Sequence, residues 1–294
     1  MKLMTINTHS LIEPNYEQKL EQFAQVLLRE RPDVLAMQEV NQLAEGRALE
    51  DGSLEGFVRC PGFDKPVREG NHAARLAELL REKGLSYHWT WISAKLGYDR
   101  YDEGLALFSL RPIRETDQFL ISQSEDYQYW KTRKVLGIQA SGLEDLWFYT
   151  VHMGWWDDEE EPFLTQWETL NARLAEKGRM EKTVWLMGDF NSPDTSHGRG
   201  YTAVCQSGWL DSYQLALEKD SGVTVDEVID GWRERTDELD NSKETAKGMR
   251  LDYLFCSRFV PVASSQVICS GDPDPVVSDH YGVMIEIGER GSIS

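Results

Sequence analysis

The chain has 294 residues, a hydrophobic content of 40% and a formal net charge of −19, with 31 Lys and Arg against 50 Asp and Glu. The acidic balance repels nucleic acid and anionic membranes at long range, and no apolar run approaches the length of a membrane span. Four cysteines without metal-binding spacing, and a strand-like start at Met1, predict a cytoplasmic protein with reduced thiols.

Short apolar runs predict β-strands, and one-face apolar patterns predict helices between them. The predicted strands cover residues 3–7, 34–38, 105–109, 135–139, 147–152, 184–187, 252–256 and 282–287. The predicted helices cover residues 16–31, 73–83 and 163–177. Several strands follow one another without a helix, which favours mixed sheets covered by helices over a parallel barrel.

No linker or internal repeat divides the chain, so we expect one domain over residues 1–294. Two polar stretches, at residues 46–70 and 220–248, are predicted to be loops that form lids or walls of a binding site.

Six predicted strands carry polar side chains at an end, which is how an α/β scaffold builds a pocket. These residues are Asn7, Glu39, His152, Asp189 with Asn191, Asp252, and the adjacent Asp279 and His280. Any one of them alone is typical of a turn, a cap or a hydrogen-bonded core position. Together their carboxylate, carboxamide and imidazole groups suit a divalent metal, an attacking water and a phosphoryl oxygen. The sequence therefore predicts an enzyme that cuts phosphate esters.

The order of these motifs resembles the endonuclease/exonuclease/phosphatase superfamily, from residue 3 to about residue 287. The matching motifs are Asn7, Gln38-Glu39, the strand at 103–113, His152, residues 188–191, residues 250–253 and residues 278–280. The resemblance implies an α/β fold, a four-layered sandwich of two mixed β-sheets packed face to face and flanked by helices. It also implies Mg²⁺, or in some members Mn²⁺, as the cofactor. Glu39 would be the principal metal ligand, with Asn7 contributing to or orienting that shell and Asp279 completing it.

The same resemblance, read with the chemistry of each side chain, implies the catalytic roles. Asp189 would orient or deprotonate the attacking water, and Asn191 would hold the phosphoryl group. His280, paired with Asp252, would be an imidazolium that stabilises the transition state. His152 would donate to another phosphate oxygen. Whether Asp189 or a histidine is the general base stays open.

One departure from the DNA-repair pattern concerns the substrate. His9 stands where those members carry Asp, and the stretch around it looks like a bacterial sugar-phosphatase branch of the maltose-6′-phosphate phosphatase type. Further matches are Gly154-Trp155-Trp156 and residues 229–232. We predict that His9, Arg133, Trp155 and Trp156 bind substrate. Arg133 would clamp a phosphate bidentately, and tryptophans, Trp130 and Trp232 included, would offer flat faces to a pyranose ring.

The leading hypothesis is a Mg²⁺-dependent phosphomonoesterase on a phosphorylated sugar such as maltose 6′-phosphate, without a nucleic-acid or membrane partner. The acidic run at residues 157–161, predicted to be a solvated loop, would repel a DNA backbone. A phosphodiesterase of the same superfamily, nuclease or sphingomyelinase-like, is the first alternative. The second is a binding protein that kept the fold and lost the chemistry, but Glu39, Asp189 and His280 are all present.

Overall fold

A computed structural model gives the fold and describes residues 1–196, 199–226 and 248–288. The strands in chain order are β1 (Lys2–Asn7), β2 (Val34–Leu43), β3 (His88–Gly97), β4 (Tyr101–Ser109), β5 (Ile113–Leu120), β6 (Lys134–Ala140), β7 (Leu146–His152), β8 (Thr183–Asp189), β9 (Leu210–Asp211), β10 (Glu218–Lys219), β11 (Asp252–Cys256), β12 (Val262–Ile268) and β13 (Gly282–Ile287). The α-helices are α1 (Tyr16–Glu30), α2 (His72–Glu82), α3 (Phe163–Glu176), α4 (Tyr201–Gln206) and α5 (Ser212–Leu215).

The strands form two mixed sheets. The first sheet has seven strands in the order β10-β12-β13-β1-β2-β4-β3, and the second has six in the order β5-β6-β7-β8-β11-β9. At the centre of each sheet two strands run parallel, β1 with β2 and β7 with β8, and antiparallel neighbours flank them. Mixed pairing of this kind was expected from strands that follow one another without a helix.

The sheets pack face to face because each central strand turns alternate residues toward the other sheet. Apolar residues of both sheets, such as Leu3, Phe148 and Trp185, belong to one continuous core. Gln38 Nε2 of the first sheet donates to Thr150 Oγ1 of the second at 2.8 Å, so the polar groups inside the sandwich bond each other.

Helices cover the outer faces. Apolar side chains of α1 and α2, such as Phe23 and Leu76, join the core of the first sheet. Phe163 and Trp167 of α3 pack with Trp147 on the outer face of the second sheet. The four-layered sandwich predicted from the sequence is confirmed. Within the described residues, no helix combines the length and apolar character that a membrane crossing requires.

The sequence missed three strands of more than two residues, β3, β5 and β12. β5 and β12 carry polar side chains, and β3 is buried on both faces, so none of the three shows a clean apolar alternation. The stretch 46–70 contains one short 3₁₀ turn at Asp51–Ser53 and isolated β-bridges at Ala48, Phe57 and Arg68, and is otherwise a loop, as predicted. None of its residues lines the pocket at the strand ends. Of the second predicted loop, residues 227–247 lie outside the described part of the chain.

Candidate active site

The polar strand ends meet at one edge of the sandwich. In the second sheet His152, Asp189 and Asp252 are direct partners across three neighbouring strands. Gly188 allows this close pairing, because a Cβ there would lie 2.0 Å from the Val151 carbonyl oxygen. In the first sheet Asn7 pairs with Gln38, next to Glu39. Because the sheets face each other, the two sets of side chains converge.

Several residues of the site have backbone conformations that residues other than glycine rarely adopt. Glu39 sits where the pairing of β2 with β4 shifts register, with a φ of 52°, and this bulge turns its carboxylate toward the site. His9, Tyr98 and Asn191 also have φ between 46° and 50°. Such strain concentrates at functional sites, where the surrounding structure has to hold it in place.

These residues surround a pocket of about 340 Å³. Its lining consists of His9, Glu39, Lys95, Gly97, Tyr98, Glu103, Trp130, Arg133, His152, Trp155, Asp189, Asn191, Asp279 and His280. Nine of the twelve site residues predicted from the sequence are in this lining. Asn7 and Asp252 lie behind it and contact lining residues, whereas Trp156 is not in it.

The Glu39 side of the pocket is acidic. Asn7 Nδ2 donates to Glu39 Oε1 at 2.9 Å and to Asp189 Oδ2 at 3.1 Å, and thereby fixes both carboxylates. Burial, and then the charge of Glu103, raise the pKa of Glu39. His9 partly compensates this half-buried carboxylate, but its pKa is still raised, and a divalent cation with oxygen ligands would supply the remaining positive charge.

Among the described residues, two clusters have donor atoms close enough to share a metal. One is His9, Glu13 and Asp279, and the other is Asp189, Asp252 and His280. In the second cluster His280 Nδ1 already donates to Asp252 Oδ2 at 2.8 Å, and Nε2 lies 3.8 Å from Asp189 Oδ2. The first cluster adjoins Glu39, since the charge of Asp279 contributes to the raised pKa of Glu39.

His280 and Asp189 form a charged pair at the base of the pocket. Burial disfavours the charged ring, but the carboxylates of Asp252 and Asp189 outweigh it and raise the pKa of His280 well above its ordinary value. Burial also raises the pKa of Asp189 to about 7, with His280 opposing the rise and Asp252 adding to it. The site therefore holds an imidazolium beside a carboxyl group that can exchange a proton near neutral pH.

The pKa of His152 is shifted in the opposite direction to that of His280. Burial, followed by the positive charges of Arg133 and Lys95, holds the pKa of His152 well below its ordinary value, so its ring is neutral. Its Nε2 lies 3.7 Å from Asp189 Oδ2 and faces the same space. Asn191 Nδ2 donates to the Met153 carbonyl at 3.0 Å, which leaves its second amide hydrogen for another acceptor.

Four lining residues were not among the predicted site residues, namely Lys95, Gly97, Tyr98 and Glu103, and Glu13 supports the pocket from behind. Lys95 Nζ and Glu103 Oε1 form a buried ion pair at 3.0 Å, and both side chains line the pocket beside Arg133. His9 Nδ1 donates to Glu13 Oε1 at 2.8 Å, and its Nε2 lies 3.2 Å from the Tyr98 hydroxyl. The positive charge and Gly-flanked turn near residue 97 were the signals available in the sequence.

Two of the tryptophans predicted to offer flat faces to a sugar ring line the pocket. Trp155 lines the pocket and is buried, and Trp130 lines its mouth with half of the residue exposed. Trp156 packs with Trp155 in a small apolar cluster. Trp232 and the motif around it lie outside the described residues.

The acidic run at 157–161 is only partly a solvated loop. Asp158 is buried, lies 2.7 Å from Lys131 Nζ, and accepts the backbone N–H groups of Glu160 and Glu161. Glu161 is buried as well and accepts two backbone N–H groups, from Gln123 and Ser124. The expectation that the whole run is solvated was wrong, because these carboxylates hold the 122–133 loop against the start of α3.

Together, the strand-end carboxylates, the imidazolium and the buried guanidinium form a site on an α/β sandwich whose groups suit the hydrolysis of phosphate esters. The chain belongs to the Endonuclease/Exonuclease/phosphatase family, whose sequence model matches residues 4–280. No curated protein matches the chain. Members of this family are enzymes that hydrolyse phosphate esters and depend on a divalent metal. Membership of the family therefore implies phosphate-ester hydrolysis and metal dependence for this chain.

Solved structures share the fold over nearly the whole chain. An endonuclease/exonuclease/phosphatase family protein from Leptotrichia buccalis is 28% identical, with a TM-score of 0.82 over 98% of this chain and 100% of that one. A mannosyl-6-phosphatase from Bacteroides thetaiotaomicron is 17% identical, with a TM-score of 0.67 over 98% and 100% of the two chains. A 3′ phosphatase from Neisseria, bound to a product DNA hairpin, is 18% identical, with a TM-score of 0.60 over the same shares. At these last two identities the similarity shows the fold alone.

Proposed function

We propose that this protein is a phosphomonoesterase that uses Mg²⁺ or Mn²⁺ to release phosphate from a phosphorylated sugar. One observation carries the proposal. A single pocket of about 340 Å³ joins the acidic side at Glu39 to the buried guanidinium of Arg133. That volume lies in the range of small-molecule sites, and its lining offers both a carboxylate for a metal and a guanidinium for a phosphate oxygen.

The metal would be held on the acidic side by Glu39 and Asp279, with Asn7 fixing the Glu39 carboxylate through its amide. When bound, it would supply Lewis-acid stabilisation of the charge on a phosphate oxygen. Asn7 also binds Asp189, so the metal side and the proposed water-activating carboxylate share one support.

The remaining steps fall to the residues at the base of the pocket. Asp189 would orient the attacking water and accept its proton, a task suited to a carboxyl group with a pKa of about 7. The free amide hydrogen of Asn191 and the neutral ring of His152 would hold phosphoryl oxygens. The His280 imidazolium would stabilise the charge of the transition state while Asp252 keeps it protonated. The phosphorus–oxygen bond to water would form as the bond to the sugar oxygen breaks, with the two oxygens roughly in line, and the departing sugar oxygen would take a proton from solvent water.

The sugar assignment rests on the walls and on charge. The buried face of Trp155 and the exposed rings of Tyr98 and Trp130 give the pocket apolar surfaces suited to a pyranose. The net charge of −19 opposes a nucleic-acid backbone. A structural neighbour described as a mannosyl-6-phosphatase supports a sugar phosphate, and maltose 6′-phosphate is the first substrate to try. The free cysteines among the described residues are consistent with a cytoplasmic site of action.

A phosphodiesterase is the second candidate, because the family also contains endonucleases and exonucleases, which cleave phosphodiesters. The discriminating experiment incubates the purified protein and Mg²⁺ with a panel of sugar monophosphates, with plasmid DNA and with a model diester. An Asp189→Asn variant purified in parallel measures any contaminating activity.

Phosphate release from a sugar by the wild type alone, with intact plasmid, is the expected result. Nicked plasmid or a cleaved diester, absent with Asp189→Asn, would replace the proposal by the phosphodiesterase. Metal binding without turnover of any substrate would favour a binding protein on the same fold. Repeating the assay with Mn²⁺ identifies the ion that supports the faster reaction.

A further inference from the structure

The guanidinium of Arg133 is a buried charge without a carboxylate bonded to it. The residue is 4% exposed and lines the pocket. Among the described residues, its guanidinium makes one hydrogen bond, from Nη1 to the Trp130 carbonyl at 3.1 Å, and its Nε has no partner. A guanidinium offers five N–H donors, and a buried charge with unused donors is costly. The arrangement calls for an anion in the pocket.

Lys95 adds to the positive charge beside Arg133. It is buried, and its partner Glu103 lies 3.0 Å away on the neighbouring strand. The positive charge of Arg133 reaches it, since burial and then Arg133 lower the pKa of Lys95. The charges of Glu103 and Glu39 act on Arg133, but among the described residues no carboxylate is bonded to its guanidinium, so N–H donors remain for a ligand.

The same pocket is lined by Glu39, Asp189 and Asp279, where a metal would be bound. A phosphomonoester has two negative charges at neutral pH, whereas a diester has one and carries a second organic group instead. With one phosphate oxygen directed to the metal side, the monoester still presents a charged oxygen to Arg133. A diester would present either no charge or a bulky group to this buried guanidinium.

We propose that Arg133, supported by Lys95, binds the second charged oxygen of a phosphomonoester and so sets a preference for monoesters over diesters. This inference rests on the proposed function and deepens it by naming the residues that select the ester class. Arg133 is a specificity-determining residue here, fixed in place by the Trp130 carbonyl.

The test compares 4-nitrophenyl phosphate with its methyl ester, which share a leaving group and differ by one negative charge. It is run at about pH 8, because the second pKa of a phosphomonoester is about 6. In Arg133→Gln, kcat/KM for the monoester should fall roughly 100-fold, the effect of losing charge-assisted hydrogen bonds. For the diester it should fall less than about threefold.

Lys134→Gln is the matched control, because it removes one positive charge from the residue next to Arg133 and Lys134 does not line the pocket. It should leave the ratio of the two kcat/KM values unchanged. The double variant Lys95→Met/Glu103→Gln removes the supporting pair without leaving an unpaired Glu103, and it should lower the monoester preference by about tenfold. Should Arg133→Gln fail to fold, Arg133→Lys keeps the charge, loses the planar fork, and should reduce the ratio by about tenfold.

A binding measurement separates this inference from the proposed function. Calorimetry with methylphosphonate, a dianion, and dimethyl phosphate, a monoanion, needs no turnover. Tighter binding of methylphosphonate by the wild type, lost in Arg133→Gln, supports the inference even if no monoester is hydrolysed and the proposed function fails. Equal losses of monoester and diester turnover, or unchanged methylphosphonate binding, would overturn it.

Discussion

His280 in the site and His72 at the interface of α1 and α2 are buried to the same extent, with 3% of each residue exposed. Their charge states are opposite. Asp252 and Asp189 outweigh burial and raise the pKa of His280 well above its ordinary value. His72 meets the Tyr16 hydroxyl, and burial, with the charge of Arg75, lowers the pKa of His72 to about 3. Burial alone therefore does not determine the protonation of a histidine; the carboxylates gathered at the strand ends do.

The difference follows from the fold. β8 and β11 are adjacent, so Asp189 and Asp252 are cross-strand partners and enclose His280 between them. At the interface of α1 and α2 the charge nearest His72 is the cation Arg75, whose carboxylate partner is Glu17, so no carboxylate raises the pKa of His72. One region maintains charges for chemistry, and the other excludes them for packing.

The largest expected effect comes from Asp252→Asn, which removes the carboxylate from His280 while keeping its shape. The pKa of His280 should fall, and kcat should drop roughly 1,000-fold, as it does when a carboxylate that orients a catalytic histidine becomes an amide. Steady-state phosphate release measures this, and the fold is checked by thermal unfolding.

The matched control is Asp117→Asn. Asp117 is a buried carboxylate of the same sheet, bonded to the Tyr149 hydroxyl at 2.7 Å and outside the pocket. It should cost stability and leave kcat within about threefold. Equal kcat values for Asp252→Asn and the wild type would show that His280 needs no partner.

The second prediction concerns Glu39, whose raised pKa marks a half-buried carboxylate without enough compensating charge. Glu39→Gln should raise the Mg²⁺ concentration for half-maximal activity by about 100-fold or more, since even residues behind metal ligands cost 10- to 100-fold. Without metal, the same variant should unfold at a higher temperature than the wild type, because a costly buried charge is gone.

With saturating Mg²⁺ the order of the two unfolding temperatures should reverse, because the ion stabilises only the protein that binds it. Melting curves with and without metal measure both. A wild type that is more stable than Glu39→Gln in the absence of metal, and gains nothing from Mg²⁺, would remove Glu39 from the metal site.

A third, smaller effect is expected at His9, which resembles His280 in having a carboxylate partner. Burial lowers the pKa of His9, but the Glu13 hydrogen bond and the charges of Glu39 and Asp279 outweigh it and raise the pKa to about 9. In metal-free Glu13→Gln, this pKa should fall toward its ordinary value near 6.5. Turnover should decrease by about tenfold or less.

Ring resonances of His9, followed by NMR against pH in metal-free protein, give the pKa directly. Glu17→Gln is the control, because Glu17 is an exposed glutamate four positions along and pairs with Arg75. A His9 that titrates alike in all three proteins would mean that Glu13 does not hold its charge.

Whether a site residue could be predicted depends on how far apart in the sequence its contact partners lie. Asn7, His152 and Asp189 follow apolar strands directly, so the local pattern located them and period-two alternation put them on the inner face. Lys95 lies within β3, and its place in the pocket depends on its pairing with Glu103 on the adjacent strand β4. No local pattern encodes that pairing.

Glu13 is a second case, because its carboxylate accepts the backbone N–H of Asp279, which is 266 residues away in the sequence. The acidic run at 157–161 is similar. Asp158 is buried only because Lys131 of another loop reaches it. Charged side chains are exposed unless a distant partner meets them, and the sequence does not reveal distant partners.

A substitution of His72 should have no effect on activity, the smallest effect expected. Its effect on the pH dependence of stability tests the contrast between His72 and His280. An unfolded chain protonates His72 near pH 6.5, whereas the folded protein resists protonation until about pH 3. The unfolded state thus binds more protons between these values. The contribution of His72 to the free energy of unfolding is fully present above pH 6.5. It is lost as the pH falls, by up to about 1.4 kcal/mol per pH unit.

His72→Gln removes that dependence on pH. The difference in unfolding free energy between the variant and the wild type should therefore shift by roughly 2 kcal/mol in the variant's favour from pH 7 to pH 5. Denaturant unfolding at both pH values measures the gap, with kcat at pH 7 as the check that the pocket is intact. Parallel stability profiles would mean that His72 gains a proton within the fold, and the contrast with His280 would disappear.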